Sequence, residues 1–196
     1  MPILVFSPSP SGREPFLERW QHRTIIIPSD DDSEQRAAGR TGKSLRWQLH
    51  VSTIEAEETG WLDALLYQGP AQAFAVPYWP GITRLSADAA IGALSLACDT
   101  TDRRFEANQY AILWKSVRET ELVTTAGITG AAVACSALAA AWPAGSLLLP
   151  ARIGYLDGEP AIERPTNRSA EVGVAFALKT ALVYGVAGVE EGVPGA

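Results

Sequence analysis

From Leu122 to Ala151 the chain carries no charged residue, and this stretch constrains the fold more than any other. A run of that length is long enough in principle to span a bilayer. Its composition argues otherwise. Ala, Gly, Thr and Ser predominate, Pro143 and Gly145 interrupt it, and the large aliphatics that drive insertion are few. It reads instead as close-packed buried strands around a turn at Trp142-Pro143-Ala144-Gly145, with no membrane span expected. The runs on either side have the same character. "QAFAVPYW", "GALSLAC", "YAILWKSV", "TELVTTA", "AAVACSA", "SLLLPARIGYL", "PAIERP" and "AEVGVAFALK" are short and β-rich, separated by Gly, Pro, Asp and Asn. Strands of this kind with turn signals between them predict an antiparallel β-sandwich or barrel.

One segment departs from that pattern. After Ser52, the residues Ile54, Trp61, Leu62, Leu65 and Leu66 recur at helical spacing, and Gly69 is placed to end a helix. Ser52 with Glu55 three residues later fits a capping box. Glu55, Glu57 and Glu58 lie where the helix dipole favours anions, which accounts for three close carboxylates without invoking chemistry. Trp61, Leu62, Leu65 and Leu66 are therefore the expected core face of one helix packed on the sheet. The predicted class is α+β, β-rich, with a single flanking helix.

"AAGRTGKS", residues 37–44, looks like a relaxed phosphate-binding loop. Such a loop works because it comes after a buried strand and opens a helix, whose N-terminal amides wrap the phosphates. Here "SDDDSEQR" precedes it, which predicts a polar acidic loop, and Asp30, Asp31 and Asp32 repel a nucleotide. On its other side lies "SLRWQLHVS", where Leu45, Trp47, Leu49 and Val51 alternate with Arg46, Gln48, His50 and Ser52. Period two marks a half-buried strand. No nucleotide binding is expected.

The remaining chemistry is sparse. His22 and His50 are isolated, and Cys98 and Cys135 sit far apart in apolar stretches, so the clustered ligands of a structural zinc site are missing. Free cysteines in such stretches are expected as buried small hydrophobes. No Gly-x-Ser-x-Gly occurs. The net charge of −6 and pI near 5.0 come without a basic stripe, against a nucleic-acid-gripping surface. Six Trp and five Tyr suit packing and interfaces. The chain is expected to have no catalytic residues, no metal and no cofactor. A small-ligand-binding β-barrel and, less readily, a hydrolase on a β scaffold are the alternative classes.

Both ends look irregular. "MPILVFSPSPSG" starts apolar and turns Pro/Ser/Gly-rich, and "GVAGVEEGVPGA" is Gly-rich. The expected organisation is an extended arm over 1–17, a β-rich domain over 18–180 and a C-terminal tail over 181–196. An exposed apolar strand is an edge-pairing liability unless a neighbour completes it. Ile3, Leu4, Val5 and Phe6 are therefore expected to cross onto an adjacent subunit.

In order along the chain, "ERWQHRTII", an acidic loop, "KSLRWQLHV", "LDALLYQGPAQAFAVPYW", "AAAWPAGSLLLPARIGYL" and "EVGVAFAL" resemble the minor tail proteins of long-tailed bacteriophages, of the distal-tail or tail-hub kind. The resemblance covers about Glu18 to Leu178. It implies a tail-tube-like fold, a homo-oligomeric ring (commonly sixfold) at the distal end of the tail tube, and a structural place in the virion after assembly in the host bacterial cytoplasm. The implied partners are the tail tube protein, the hub or baseplate proteins and the tape measure protein, with DNA passing through without specific binding. On that reading Asp30, Asp31 and Asp32 face the lumen or a neighbouring ring, where negative charge repels passing phosphates.

Overall fold

The computed structural model describes residues 2–21, 24–28, 34–38 and 44–179. The first strands are β1 (Leu4–Val5), β2 (Leu17–Gln21), β3 (Thr24–Pro28), β4 (Glu34–Ala38) and β5 (Ser44–Thr53), and then helix α1 (Ala56–Leu66). Next come β6 (Ala73–Pro77), a 3-10 turn (Trp79–Gly81), β7 (Thr83–Arg84), β8 (Ser95–Ala97), β9 (Tyr110–Trp114) and β10 (Thr120–Thr129). The last are β11 (Ala132–Cys135), β12 (Leu147–Leu156), β13 (Ile162–Glu163) and β14 (Ala170–Leu178). Twelve of these strands join one sheet, antiparallel at every pairing except β1 with β6. The chain is thus β-rich α+β with a single α-helix among the described residues.

β12 organises the sheet because its two halves serve two neighbourhoods. One edge pairs β7 at Leu147 and Leu148, then β6 from Ala151 to Tyr155. The other edge pairs β9 from Leu147 to Ala151, then β14 from Gly154 to Leu156. β9 and β14 therefore leave the same edge of β12 at different heights, and each leads into its own lobe.

The first lobe runs along β12–β14–β5–β2 and is covered by α1. Its core is aromatic and aliphatic. Leu45, Trp47, Leu49 and Val51 of β5 and Ala170, Val172, Val174, Phe176 and Leu178 of β14 are buried at alternate positions, as period two requires. Phe6, Phe74 and Phe176 meet edge to face with centroids 4.9–6.3 Å apart. From α1, Leu62, Leu65 and Leu66 enter this core, and Trp61 packs half-buried against it. At Gly154, where β14 meets β12, a Cβ would come within 2.8 Å of Leu178 and 3.2 Å of the Ala177 carbonyl.

The helix begins differently from the capping-box expectation. Ser52 belongs to β5, and the N-cap is Glu55, extended and without a side-chain cap. Ile54 is 77% exposed, so it is no part of the apolar face. Thr59 anchors the first turn instead. Its Oγ1 lies 2.8 Å from the Arg168 carbonyl and 2.7 Å from Thr53 Oγ1, which in turn takes the Ala170 N–H at 3.2 Å. With Thr53 donating to Thr59 and Thr59 to Arg168, the chain of bonds satisfies each buried hydroxyl. Gly69, at φ +75°, comes after the last turn as expected.

The second lobe is a small closed ring of strands. From β12 the pairing runs β9–β10–β11–β8, and a bridge from Leu85, just after β7, to Cys98, just after β8, returns it to β7 and β12. A bulge in β10 between Thr125 and Gly127 turns the corner. Leu85, Leu96, Cys98, Ala111, Leu113, Val123, Val133, Cys135, Leu138, Trp142 and Leu148 fill it.

The structure corrects two expectations. The N-terminal arm is not left for a neighbour to cover. β1 adds to β6 in parallel, Phe6 is fully buried beside Phe74 and Phe176, and Ile3, Leu4 and Val5 are half-buried against the same chain. Ser7 fixes the arm further, accepting the Trp61 indole N–H at its Oγ (2.9 Å) and the Trp114 indole N–H at its carbonyl (2.9 Å). The arm is thus integral to the sheet because its apolar run finds a free strand edge and a phenyl cluster in its own chain. Second, the stretch after the three aspartates is not all loop. Glu34–Ala38 forms β4, paired with β3 in a separate two-stranded ribbon. Asp30, Asp31 and Asp32 themselves lie outside the described residues, as does the tail beyond Lys179. Past Gly-Lys-Ser the chain enters strand β5, not a helix N-terminus.

Candidate assembly surface

The charge-free stretch does not stay inside. Its ends form β10, β11 and β12, but the middle, residues 136–145, is a surface loop. In it Ala137, Ala139, Ala140, Ala141, Pro143 and Ala144 are exposed. Against it lies the connection between β7 and β8, where Ile91 is 69% and Leu94 64% exposed. Together the two loops make an apolar platform at the end of the closed ring.

The platform is held rigidly, so its exposure is built in. Ala89 and Trp142 exchange both backbone hydrogen bonds at 2.8 Å. Gly92 N–H donates to the Leu138 carbonyl, Leu138 N–H to Ala93 and Cys135 N–H to Leu94, at 2.9–3.2 Å. Two carboxylates complete the scaffold from below. Glu121 of β10 accepts the Ala139 N–H (2.5 Å), the Ala140 N–H (3.3 Å) and the Trp142 indole N–H (2.7 Å). Asp88 accepts the Ala144 N–H at 2.7 Å. Both acids hold the loop through its backbone, Glu121 half-buried and Asp88 exposed at its edge. A shallow groove of about 330 Å³ runs beside it, floored by Ala139–Pro143 and rimmed by Lys115 and Arg118, which pair with Glu119 and Glu57 at 2.9 Å.

A protein surface in water seldom clusters exposed large aliphatics on a hydrogen-bonded loop pair unless something covers them. Elsewhere the described surface is laced with ion pairs: Arg13–Glu171, Arg104–Glu18 and Arg164–Asp63 at 2.6–2.8 Å. At the platform the ion pairs, Lys115–Glu119 and Arg118–Glu57, stay at the rim.

No protein-family model matches the chain, and no curated protein matches it. Its own geometry carries the reading. Trp61, Leu62, Leu65 and Leu66 form a structural face, and Ile3, Leu4, Val5 and Phe6 are structural too. Neither set joins the platform. Sequence patterning does not single out Ile91 and Leu94, the most exposed aliphatics of the platform. The available signal is a run from Ala89 to Cys98 without charge, which reads equally well as a buried strand.

Cys98 and Cys135 are buried without a disulfide. Burial, with Asp99 beside it, pushes the Cys98 thiol up to about 11, and burial with nearby Glu121 also raises Cys135. Raised thiols hold little thiolate near neutral pH and make poor nucleophiles. Among the described residues no group of three His, Cys, Asp or Glu side chains is placed to hold a metal ion, and no helix is long and apolar enough to cross a membrane.

Proposed function

We propose that this chain is a structural subunit of a bacteriophage tail, forming a ring at the distal end of the tail tube that joins the tube to the hub or baseplate and lets DNA pass. The observation that carries the assembly part is the hydrogen-bonded pair of loops that holds Ile91 and Leu94 exposed. Its exposed aliphatics call for a protein partner, and a repeated subunit meets that need in every copy at once. The phage-tail part is supported by the ordered sequence resemblance from about Glu18 to Leu178 and by the β-rich fold with one helix. A small-ligand barrel fits less well, because the ring of strands is filled by its own Leu96, Leu113, Val133 and Leu148, all fully buried.

Purified particles of the phage that encodes this chain test the reading. Mass spectrometry should find the chain in intact virions, and antibody labelling should mark the distal end of the tail. Infectious particles that lack the chain would overturn the tail assignment.

A further inference from the structure

Between β8 and β9 the chain leaves the closed ring of strands and reaches across to the other lobe. Both ends of this connection are tied down in the second lobe. Thr100 donates its N–H to the Gly130 carbonyl at 3.2 Å and its hydroxyl to the Thr129 carbonyl. At the far end the Glu106 carbonyl accepts from Thr125 Oγ1, Asn108 N–H donates to the Thr125 carbonyl at 2.8 Å, and Phe105 packs on the second core. Residues 101–104 lie between these ties as a short strap, exposed except for half-buried Arg103. The strap's backbone bonds stay local: Thr101 N–H donates to Asp99 Oδ1 at 3.0 Å and Arg103 N–H to the Thr100 carbonyl at 3.2 Å.

Arg104 holds the strap onto the first lobe. Its Nη1 lies 2.6 Å from Glu18 Oε2, and its guanidinium lies 4.9 Å over the Tyr78 ring, which packs on Phe16 at 5.5 Å and Trp47 at 5.3 Å. The Arg103 carbonyl fits against Gly81, where a Cβ would come within 2.4 Å of it. Two costs oppose this seating. Asp102 and Arg104 are held at φ +57° and +61°, a left-handed conformation that is unfavourable for residues with a side chain. Among the described residues Arg103 Nε is also buried without a hydrogen-bond partner, which penalises the closed form. The ion pair that offsets these costs is weak, because the Arg104 side chain is 57% exposed and both solvent and salt screen it. A weak hold set against stored strain brings the open and closed forms close in free energy.

We infer that residues 101–104 are an ionic strap: they lift from Glu18 and Tyr78 and reseat while both lobes stay folded, and ionic strength sets how often. Lifting hydrates the Arg103 guanidinium and frees Asp102 and Arg104 from the left-handed region. It also bares the Tyr78 face and the Glu18 carboxylate where the lobes meet. The ties at Thr100 and Glu106 do not involve Arg104, so they confine the motion to the strap.

Amide relaxation dispersion on the full-length protein tests this, because it reads exchange on the microsecond-to-millisecond scale. Exchange is expected at residues 101–104, with none at the amides of β5 and β14. Glu18→Gln keeps the side chain's size and removes its charge, and should raise the open population about two- to fivefold, the range that an ion pair of this exposure supports. Raising salt from about 0.02 M to about 0.5 M should do the same to the wild type and change Glu18→Gln little. Asp63→Asn, which breaks the exposed Arg164 pair elsewhere on the first lobe, should leave the strap as in the wild type. Circular dichroism should show both variants folded. Strap amides without exchange in the wild type and in Glu18→Gln overturn the inference. So does an open population that ignores salt, or one that rises only together with exchange in β5 and β14, which would mark opening of the whole lobe.

Discussion

The two lobes that share β12 solve the same problem with different materials. The β2–β5–β14 lobe buries large rings: Phe6, Phe74, Phe176 and Trp47 beneath α1. The closed ring of β7–β12 buries mostly small and aliphatic residues, with Cys98, Cys135, Ala89 and Ala111 among them and Trp142 as its large ring. Large rings make a core deep enough to be sealed by side chains. Small residues bring strands close, and the closure is then finished by backbone and threonine hydrogen bonds. Thr125 shows this: its N–H donates to the Gln109 carbonyl at 2.9 Å, its carbonyl takes the Asn108 N–H at 2.8 Å, and its Oγ1 donates to the Glu106 carbonyl at 2.5 Å. The first lobe buries the rings of its core and leaves Tyr67 and Trp20 exposed at its surface. The second leaves Ile91 and Leu94 exposed on adjoining loops.

The lobes are also coupled. Arg104, held at φ +61°, leaves the second lobe to pair with Glu18 of β2 at 2.6 Å and lies 4.9 Å over the Tyr78 ring. At Gly81 a Cβ would sit 2.4 Å from the Arg103 carbonyl, so only a residue without one lets this loop seat against the 3-10 turn.

Breaking the aromatic lobe should cost most. Phe176→Ala removes the ring that both Phe6 and Phe74 pack on and should destabilise the fold by about 3–5 kcal/mol in a denaturant melt. Because β12 belongs to both lobes, the melt should remain a single transition by far-UV dichroism and tryptophan fluorescence alike. Two separated transitions would show the lobes to be independent units. Leu65→Ala, on the helix side of that core, should cost about 2–5 kcal/mol; a change near zero would mean that α1 contributes little to sealing it.

Glu121→Ala sharpens the contrast from the other side. It strips the acceptor from two backbone amides and the Trp142 indole, and should cost about 1–3 kcal/mol while loosening the platform. Hydrogen exchange at Ala139 and Ala140 should then quicken, with β14 amides unaffected. Global loss of protection would instead make Glu121 part of the common core.

The thiols give a smaller, pH-dependent difference. In the unfolded chain Cys98 ionises near the ordinary thiol value of 9.0, whereas the folded lobe holds its pKa at about 11. The folded form keeps the proton longer, so the stability linked to Cys98 is full below pH 9 and is lost as pH rises towards 11. Comparing Cys98→Ala with wild type across that window should flatten part of the decline. Parallel slopes would show that other groups set it. Smallest of all, Ile54→Ser should change stability by no more than about 0.5 kcal/mol, since Ile54 is exposed. A larger loss would return it to the helix face.

Legibility depends on whether a signal is local. The alternation in Leu45–Val51 and in β14 announces half-buried strands, because each strand has one face in the core and period two survives. Trp61, Leu62, Leu65 and Leu66 announce a helix face for the same reason. The start of α1 is where a local signal misleads: Ser52 and Glu55 have the spacing of a capping box, but β5 continues through Thr53, and strand pairing with β14 outweighs a cap worth about 1 kcal/mol. The candidate surface is hidden further still. Ile91, Leu94 and the alanines from Ala137 to Ala141 are apolar, and apolar residues in short runs look alike whether they end inside or out.

The sequence by itself determined a β-rich chain with an amphipathic helix carrying Leu62, Leu65 and Leu66 inward, and two thiols far apart in apolar runs, because propensity, periodicity and residue chemistry are local properties. Only the tertiary structure decided that β12 is shared between two cores, that the N-terminal arm belongs to its own sheet, and that the loop of residues 136–145 emerges beside the β7–β8 connection as a platform. Those outcomes depend on which strand edges find each other across long separations, Phe6 with Phe74 and Ala89 with Trp142. A pairing of that kind is set by the energy of the closed sheet as a whole, which no single segment encodes.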